Sequence, residues 1–147
     1  MIVLLEGLAA LCAGLFAGAA TYITFVEHPA RLECGTELAA TEFGPSYRRA
    51  TVMQASLAGV GLIAAVIAWA QGRGVAVLVG GLLLGLVIPF TLVVILPTNQ
   101  RILDPGLDRR SGKAAALLVR WGRLHAVRSV LGALAFGVLV WHLAVAR

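Results

Sequence analysis

Four uncharged apolar runs, Gly7 to Val26, Ala50 to Gly72, Gly74 to Gln100 and Ser129 to Ala146, constrain this chain more than any other feature. Each is close to, or longer than, the roughly 20 residues a helix needs to cross about 30 Å of hydrocarbon. Backbone polar groups in lipid must be paired within the spanning segment, so runs of this kind form helices. Too few residues remain between them for a separate soluble domain. The chain therefore reads as all-α, an integral membrane four-helix bundle forming one transmembrane domain over residues 1–147, with spans near 3–28, 49–71, 74–97 and 121–145. Composition agrees: 60% of the 147 residues are hydrophobic and 13% charged, where soluble domains carry about a quarter charged. Disorder and most soluble folds are excluded.

The first span is expected to be retained. Glu6 stands where the basic n-region of a signal peptide belongs, and the apolar stretch overruns an h-region. Cys12 lies inside that span and Cys34 beyond its far end, so no disulfide is expected between them. The lack of a CxxC pair argues against a disulfide-exchange enzyme.

With four spans, both termini and the turn from Gln71 to Gly74 share one side. Arg73 and Arg147 fall there, whereas Arg31, Arg48, Arg49, Arg101, Arg109, Arg110, Lys113, Arg120, Arg123 and Arg128 fall on the other. The positive-inside rule places the polar segments in the cytoplasm and the termini outside, in what reads as a bacterial plasma membrane. Topology and anionic headgroups account for the formal charge of +5. No basic patch is interleaved with aromatics, so nucleic acid is not an expected partner.

Pro29 predicts the end of the first helix, residues 30–43 a short interfacial helix between spans 1 and 2, and Gly44 with Pro45 its break. Tyr47, Arg48 and Arg49 then anchor the second span at the interface. Asp104, Pro105 and Gly106 read as a turn, and Ser111 as the cap of a helix that starts near Lys113 and runs unbroken into the fourth span. Pro89 denies the Gly85 carbonyl its helical partner and predicts a kink. The two halves share an order of span, proline, basic segment, Arg-led span and Trp, which fits either a parallel repeat or chance.

Small residues let helices approach closely in lipid. Gly7, Ala10, Gly14, Gly18, Thr21 and His28 form such a stripe on the first helix. Gly14 with Gly18, or Gly81 with Gly85, is the expected face for a homo-oligomer. Trp121, His125, Arg128, Gly132 and Ala135 share a face of the fourth helix, polar at one end and small at the other, as a pocket-lining helix would be. Glu6 and His142, at the other interface, read as snorkelling side chains or as a pair.

Threaded through this topology, His28, Arg49, Gln54, Asn99, His125 and Arg128 converge on one layer. Imidazole, amide and guanidinium groups at one depth suit a pocket for a partly polar planar ligand, although a solvated interface would gather polar residues too.

The order Glu27-His28-Pro29-Ala30-Arg31 after a glycine-rich span, Pro97-Thr98-Asn99 after the third span, and Trp121-x-x-x-His125-x-x-Arg128 opening the fourth resembles the anthrone oxygenase family of small four-helix membrane proteins. The resemblance covers nearly the whole chain. It implies a membrane-embedded monooxygenase acting with O2 on a small, hydrophobic, phenolic or anthrone-like substrate. His28 or His125 would remove a carbon-bound proton, and Arg128 with Asn99 would stabilise the enolate. Trp121, Arg49 and Gln54 would complete the substrate site. No cofactor is required on this reading. Copper or iron held by His28, His125 and Glu27 is the metal alternative, and a non-catalytic protein for oligomerisation or partner docking is the alternative outside enzymes.

Overall fold

The computed structural model describes residues 2–145; Arg147, counted above on the terminal side, and the end of the last apolar run at Ala146 lie outside them. The described residues contain no strands. Four helices, α1 (Val3–Glu33), α2 (Thr36–Ala70), α3 (Val75–Ile102) and α4 (Gly112–Val145), are long and apolar enough to cross a membrane. The chain is an integral membrane four-helix bundle. They run up and down in a ring: α1 packs on α2 and α4, α3 packs on the same two, and the diagonal pairs barely touch. The interior is paved with small residues, among them Ala9, Ala13, Ala20, Ala58, Ala65, Ala68 and Ala135. Large apolar side chains such as Leu4, Phe25, Val52 and Val93 point outward, as a lipid-facing surface requires.

The helices overrun the apolar runs on the polar side. At 1.5 Å per residue, the 35 residues of α2 extend about 52 Å, well beyond the roughly 30 Å of hydrocarbon. No separate interfacial helix covers residues 30–43, because α2 begins at Thr36 and passes through Pro45. Pro45 leaves the Thr41 carbonyl without its helical partner, a loss of roughly 3 kcal/mol in an isolated helix. Packing on both sides of it offsets that loss: Phe43 is buried and stacks on Tyr47, ring centroids 5.8 Å apart. Gly44 lies against Leu103. The break comes instead at Gly35, where φ is +93°, a backbone conformation that side chains disfavour.

Pro29 does not end α1 either. One π-turn, Ile23–Glu27, closes through a bond from the His28 N–H to the Ile23 carbonyl, and α-helix resumes over His28–Glu33 with Pro29 in its first turn. The wider turn absorbs an extra residue, which advances the helix phase by about 100°. That shift sets where His28 lies, in line with the buried Glu6, Ala13 and Ala20 rather than with Thr21. Of the expected stripe, Ala10 is buried and Gly14 packs on Phe136, while Gly18 and Thr21, both before the π-turn, face outward.

The expected oligomer face at Gly81 and Gly85 is also taken within the chain, by Ala65 and Leu62 of α2. In α3 the regular helix is interrupted at Leu86, four residues before Phe90, as the kink at Pro89 predicts. Ser111 caps α4 through an Ala114 N–H to Oγ bond of 3.2 Å, and α4 then continues unbroken to Val145.

Candidate functional site

His125 lies on the inward face of α4, 2% exposed, and a chain of hydroxyls fixes its ring. Ser129, one turn further along, donates to the Ala20 carbonyl at 2.9 Å. Its single hydrogen is thereby used, so the 2.8 Å contact between Thr24 Oγ1 and Ser129 Oγ has Thr24 as donor. Thr24 then has no hydrogen left for His125, and across the 3.1 Å contact to Nδ1 it is the imidazole that donates. With the Ser129 hydrogen assigned to the Ala20 carbonyl, the network assigns a hydrogen to Nδ1 and leaves the Nε2 lone pair for a ligand.

Trp121, one turn before, stacks on His125 at 4.7 Å between centroids and meets the edge of Phe43 at 5.3 Å. Arg128, one turn after, donates through Nη2 to Gln54 Oε1 at 2.5 Å and lies over the Phe16 ring at 5.6 Å. Gly132 makes room for that ring, since a Cβ there would come within 2.7 Å of Phe16. Trp121, His125, Arg128, Gln54, Tyr47 and Arg31 line one small cavity, whose water-accessible volume is about 20 Å³, room for a single water.

The other predicted site residues lie elsewhere. His28 is buried beside Trp121, centroids 5.0 Å apart, but lines none of the cavities described, and neither ring nitrogen has a hydrogen-bond partner among the described residues. It fits only because α4 has glycine opposite: a Cβ at Gly122 would lie 2.6 Å from His28 Nε2. Asn99 is 1% exposed; it sits one turn from both Ile95 and Ile102, which pack with Leu117, Leu118 and Trp121, and it does not line the His125 cavity. Arg49 is exposed and borders an outward groove between α1 and α2. The inward face of this turn of α2 is held by Ala50 and Gln54, which leaves Arg49 on the outward side.

The metal set Glu27, His28 and His125 does not gather. Glu27 Oε1 is engaged by Arg31 and by Ser46 Oγ at 3.0 Å. No group of three or more His, Cys, Asp or Glu side chains suited to a metal occurs among the described residues.

Sequence reasoning missed Thr24, Ser129, Gly122 and Arg31. Arg31 is buried, pairs with Glu27 and Glu42, and forms one wall of the cavity. The Glu27–Arg31 spacing of four was the available signal for it. Nothing in the sequence marks Thr24, because its place opposite His125 depends on how α1 and α4 pack.

At the opposite end of the bundle Glu6 is buried and accepts from Arg73 at 2.7 and 2.8 Å, and lies 2.7 Å from His142 Nε2. The pair is formed, with Arg73 as a third member.

The anthrone oxygenase family model matches residues 43–138, which takes in Gln54, Trp121, His125 and Arg128. The chain belongs to the anthrone oxygenase family. The matched range covers most of α2, α3 and α4, so the cavity's α2 and α4 walls are family territory, while Thr24 and His28 on α1 stand outside it. No curated protein and no solved structure matches the chain.

Proposed function

We propose that this anthrone oxygenase family member oxidises a planar anthrone-like phenol with O2 inside the membrane, and that His125 is the base. The observation that carries the reading is the Ala20–Ser129–Thr24–His125 contact chain: assigned with Ser129 donating to Ala20, it gives Thr24 the Nδ1–H and leaves the lone pair on Nε2 in a cavity whose next wall is the Arg128 guanidinium. A base and a cation on one closed, water-poor wall suit removal of a proton from a ring carbon that is conjugated, through the flanking aromatic rings, to a ketone across the central ring.

In the first step Nε2 takes the ring-carbon proton and Arg128, with Gln54, holds the enolate oxygen. The electron-rich anion passes one electron to O2, and the resulting radical pair combines to a carbon-bound hydroperoxide, its terminal oxygen receiving the proton from His125. Loss of the second proton from that carbon breaks the O–O bond, giving the quinone and water. One O2 thus supplies the new carbonyl oxygen and the oxygen of the water. The reading requires no metal or organic cofactor. Trp121 and Phe43 form the aromatic end of the cavity, and His28 supports Trp121 from behind rather than touching the reacting carbon. The same reading places the polar ends of the helices, and hence the cavity, toward the cytoplasm, following the basic residues on that side.

Oxygen uptake with 1,8-dihydroxyanthrone tests it, with the spontaneous rate in protein-free detergent subtracted. The wild-type chain is expected to accelerate uptake, His125→Ala to abolish the acceleration, and His28→Ala to keep most of it. Equal rates for wild type and His125→Ala would refute the assignment.

A further inference from the structure

Helices α2 and α3 are closed at one end and parted at the other. Near the turn that joins them, Gly81 packs on Ala65, Gly85 on Leu62, and Gly61 receives Leu84. Past Leu86 the contacts change. Helix α3 is interrupted, carries Pro89, and winds through a second π-turn, Thr91–Ile95, so glycine-to-side-chain contact gives way to a gap. Ala55 and Ala58 of α2 face Ile88, Thr91 and Leu92 of α3 across a chamber with a water-accessible volume of about 100 Å³. Ala55 and Leu92 are exposed on the outer surface, at a depth the sequence assigns to hydrocarbon, so the chamber opens sideways onto lipid.

Its inner wall is the Gln54–Arg128 pair, which also lines the His125 cavity. Arg128 Nη2 uses Gln54 Oε1. Gln54 Nε2 and Arg128 Nε remain buried with no partner among the described residues. Both are donors, and buried donors without acceptors cost too much to be left idle unless a ligand or water completes them. An apolar chamber ending in two unused donors, one of them cationic, fits a flat apolar molecule that carries an acceptor oxygen. The groove between α1 and α2 is built differently: behind it Glu27, Ser46 and Arg31 bond to one another, and Arg31 Nε, which makes no hydrogen bond, is paired with the Glu42 carboxylate. The cation there already has its anions, and Ile23, Ser46 and Ala50 form the wall between the groove and the His125 cavity.

We propose that the substrate enters from the bilayer between α2 and α3, its ring system in the Ala55–Leu92 chamber and its carbonyl or phenolate oxygen on Gln54 Nε2 and Arg128 Nε. The pair is the gate: the oxygen replaces Gln54 Oε1 as the acceptor for Arg128, and the ring then moves inward past the parted pair until the carbon opposite that oxygen reaches His125. The entrance stands on the cavity geometry, whereas the identity of the ligand rests on the oxygenase reading.

The test uses the full chain in phosphatidylcholine vesicles with Trp69→Phe and Trp141→Phe, both exposed positions, so that Trp121 is the remaining one of three tryptophans. The probe is 1,8-dihydroxyanthraquinone, a quencher that cannot turn over. Expected is saturable quenching of Trp121, with a half-saturation raised at least tenfold by Ala55→Phe, or by Thr91→Phe should the first variant fail to give monodisperse protein. Ala19→Phe, in the α1–α2 groove, should leave it unchanged. Quenching that is unsaturable, blind to both plugs, or weakened by Ala19→Phe alone overturns the entrance. Oxygen uptake run on the same vesicles separates the two claims. Plug-sensitive quenching without anthrone oxidation keeps the entrance and removes the reaction, while oxidation that Ala55→Phe and Thr91→Phe leave intact does the reverse.

Discussion

Glu6→Gln measures how much one buried carboxylate holds at the end of the bundle away from the cavity. Glu6 is 1% exposed and joins three elements: its own helix α1, the α2–α3 turn through Arg73, and α4 through His142. Glutamine matches its size but offers one acceptor oxygen where the carboxylate offers two, and turns an NH2 toward groups that themselves donate. Removing one partner of a fully buried pair costs about 3–5 kcal/mol; here Arg73 is a third exposed and the amide oxygen keeps one bond, so about 2 kcal/mol is expected, the worth of a hydrogen bond to a charged group. At about 2–4 °C per kcal/mol for a chain near this size, the unfolding midpoint should fall by about 4–8 °C. Thermal unfolding in mild detergent, followed by a thiol-reactive fluorogenic dye, reads this directly. In a Cys34→Ser background the remaining thiol, Cys12, is buried and reacts when the bundle opens. The Glu37–Arg110 pair supplies the contrast. Its 2.7 Å contact equals that of Glu6 with Arg73, but both its side chains are more than half exposed, so Glu37→Gln should not move the midpoint measurably. A Glu6→Gln midpoint within about 2 °C of wild type would refute the argument that burial, rather than distance, gives this pair its strength.

Thr24→Val removes the acceptor that holds Nδ1–H of His125; kcat for anthrone oxidation should fall about 10- to 100-fold, part of the 10²–10⁴ that a positioned base contributes, with KM little changed. Thr24→Ser should restore it, and an unchanged kcat in the valine variant would show that the tautomer is set otherwise. Gly122→Ala places a methyl 2.6 Å from His28 Nε2 and should lower stability by up to about 2 kcal/mol, overpacking of about 1–3 less the helix gain of about 1. In a His28→Ala background the same change should instead stabilise by about 1 kcal/mol, and a midpoint shift of the same sign in both backgrounds would exclude the clash. Gly35→Ala should cost about 1–3 kcal/mol, because φ +93° with ψ 154° is a region essentially reserved to glycine; an unchanged midpoint would mean the α1–α2 joint relaxes freely.

What the sequence made legible was set by local chemistry. Apolar runs of bilayer length fixed four helices, and the spacing of Trp121, His125, Arg128, Gly132 and Ala135 placed them on one face because α4 is uninterrupted from its Ser111 cap. Arg49 and His28 were harder. Membrane depth put them in the right layer, but facing is a matter of helix phase: a π-turn in α1 moves His28 by about 100°, and on the uninterrupted α2 Arg49 falls one position outside the inward face of Ala50 and Gln54. The tautomer of His125 was out of reach altogether, since Thr24 lies 101 positions away in the chain and its hydroxyl acts only through the packing of α1 on α4.

The prolines show why stop signals mislead in a protein of this kind. Pro29 and Pro97 each follow a five-residue π-turn, Ile23–Glu27 and Thr91–Ile95, and each sits in the first turn of the helix that resumes. A proline removes the bond to the carbonyl four residues back and crowds that carbonyl. In water the chain can end the helix there and let solvent take the freed group. In hydrocarbon it cannot, and the turn widens instead, keeping the backbone paired through bonds to the fifth residue. The result in α1 is a phase that brings His28 and Arg31 inward. In α3 the widened turn supplies Thr91 and Leu92 to the wall of the chamber that leads to Arg128. The same residue type that a soluble chain uses to stop a helix therefore shapes both the back of this cavity and its way in.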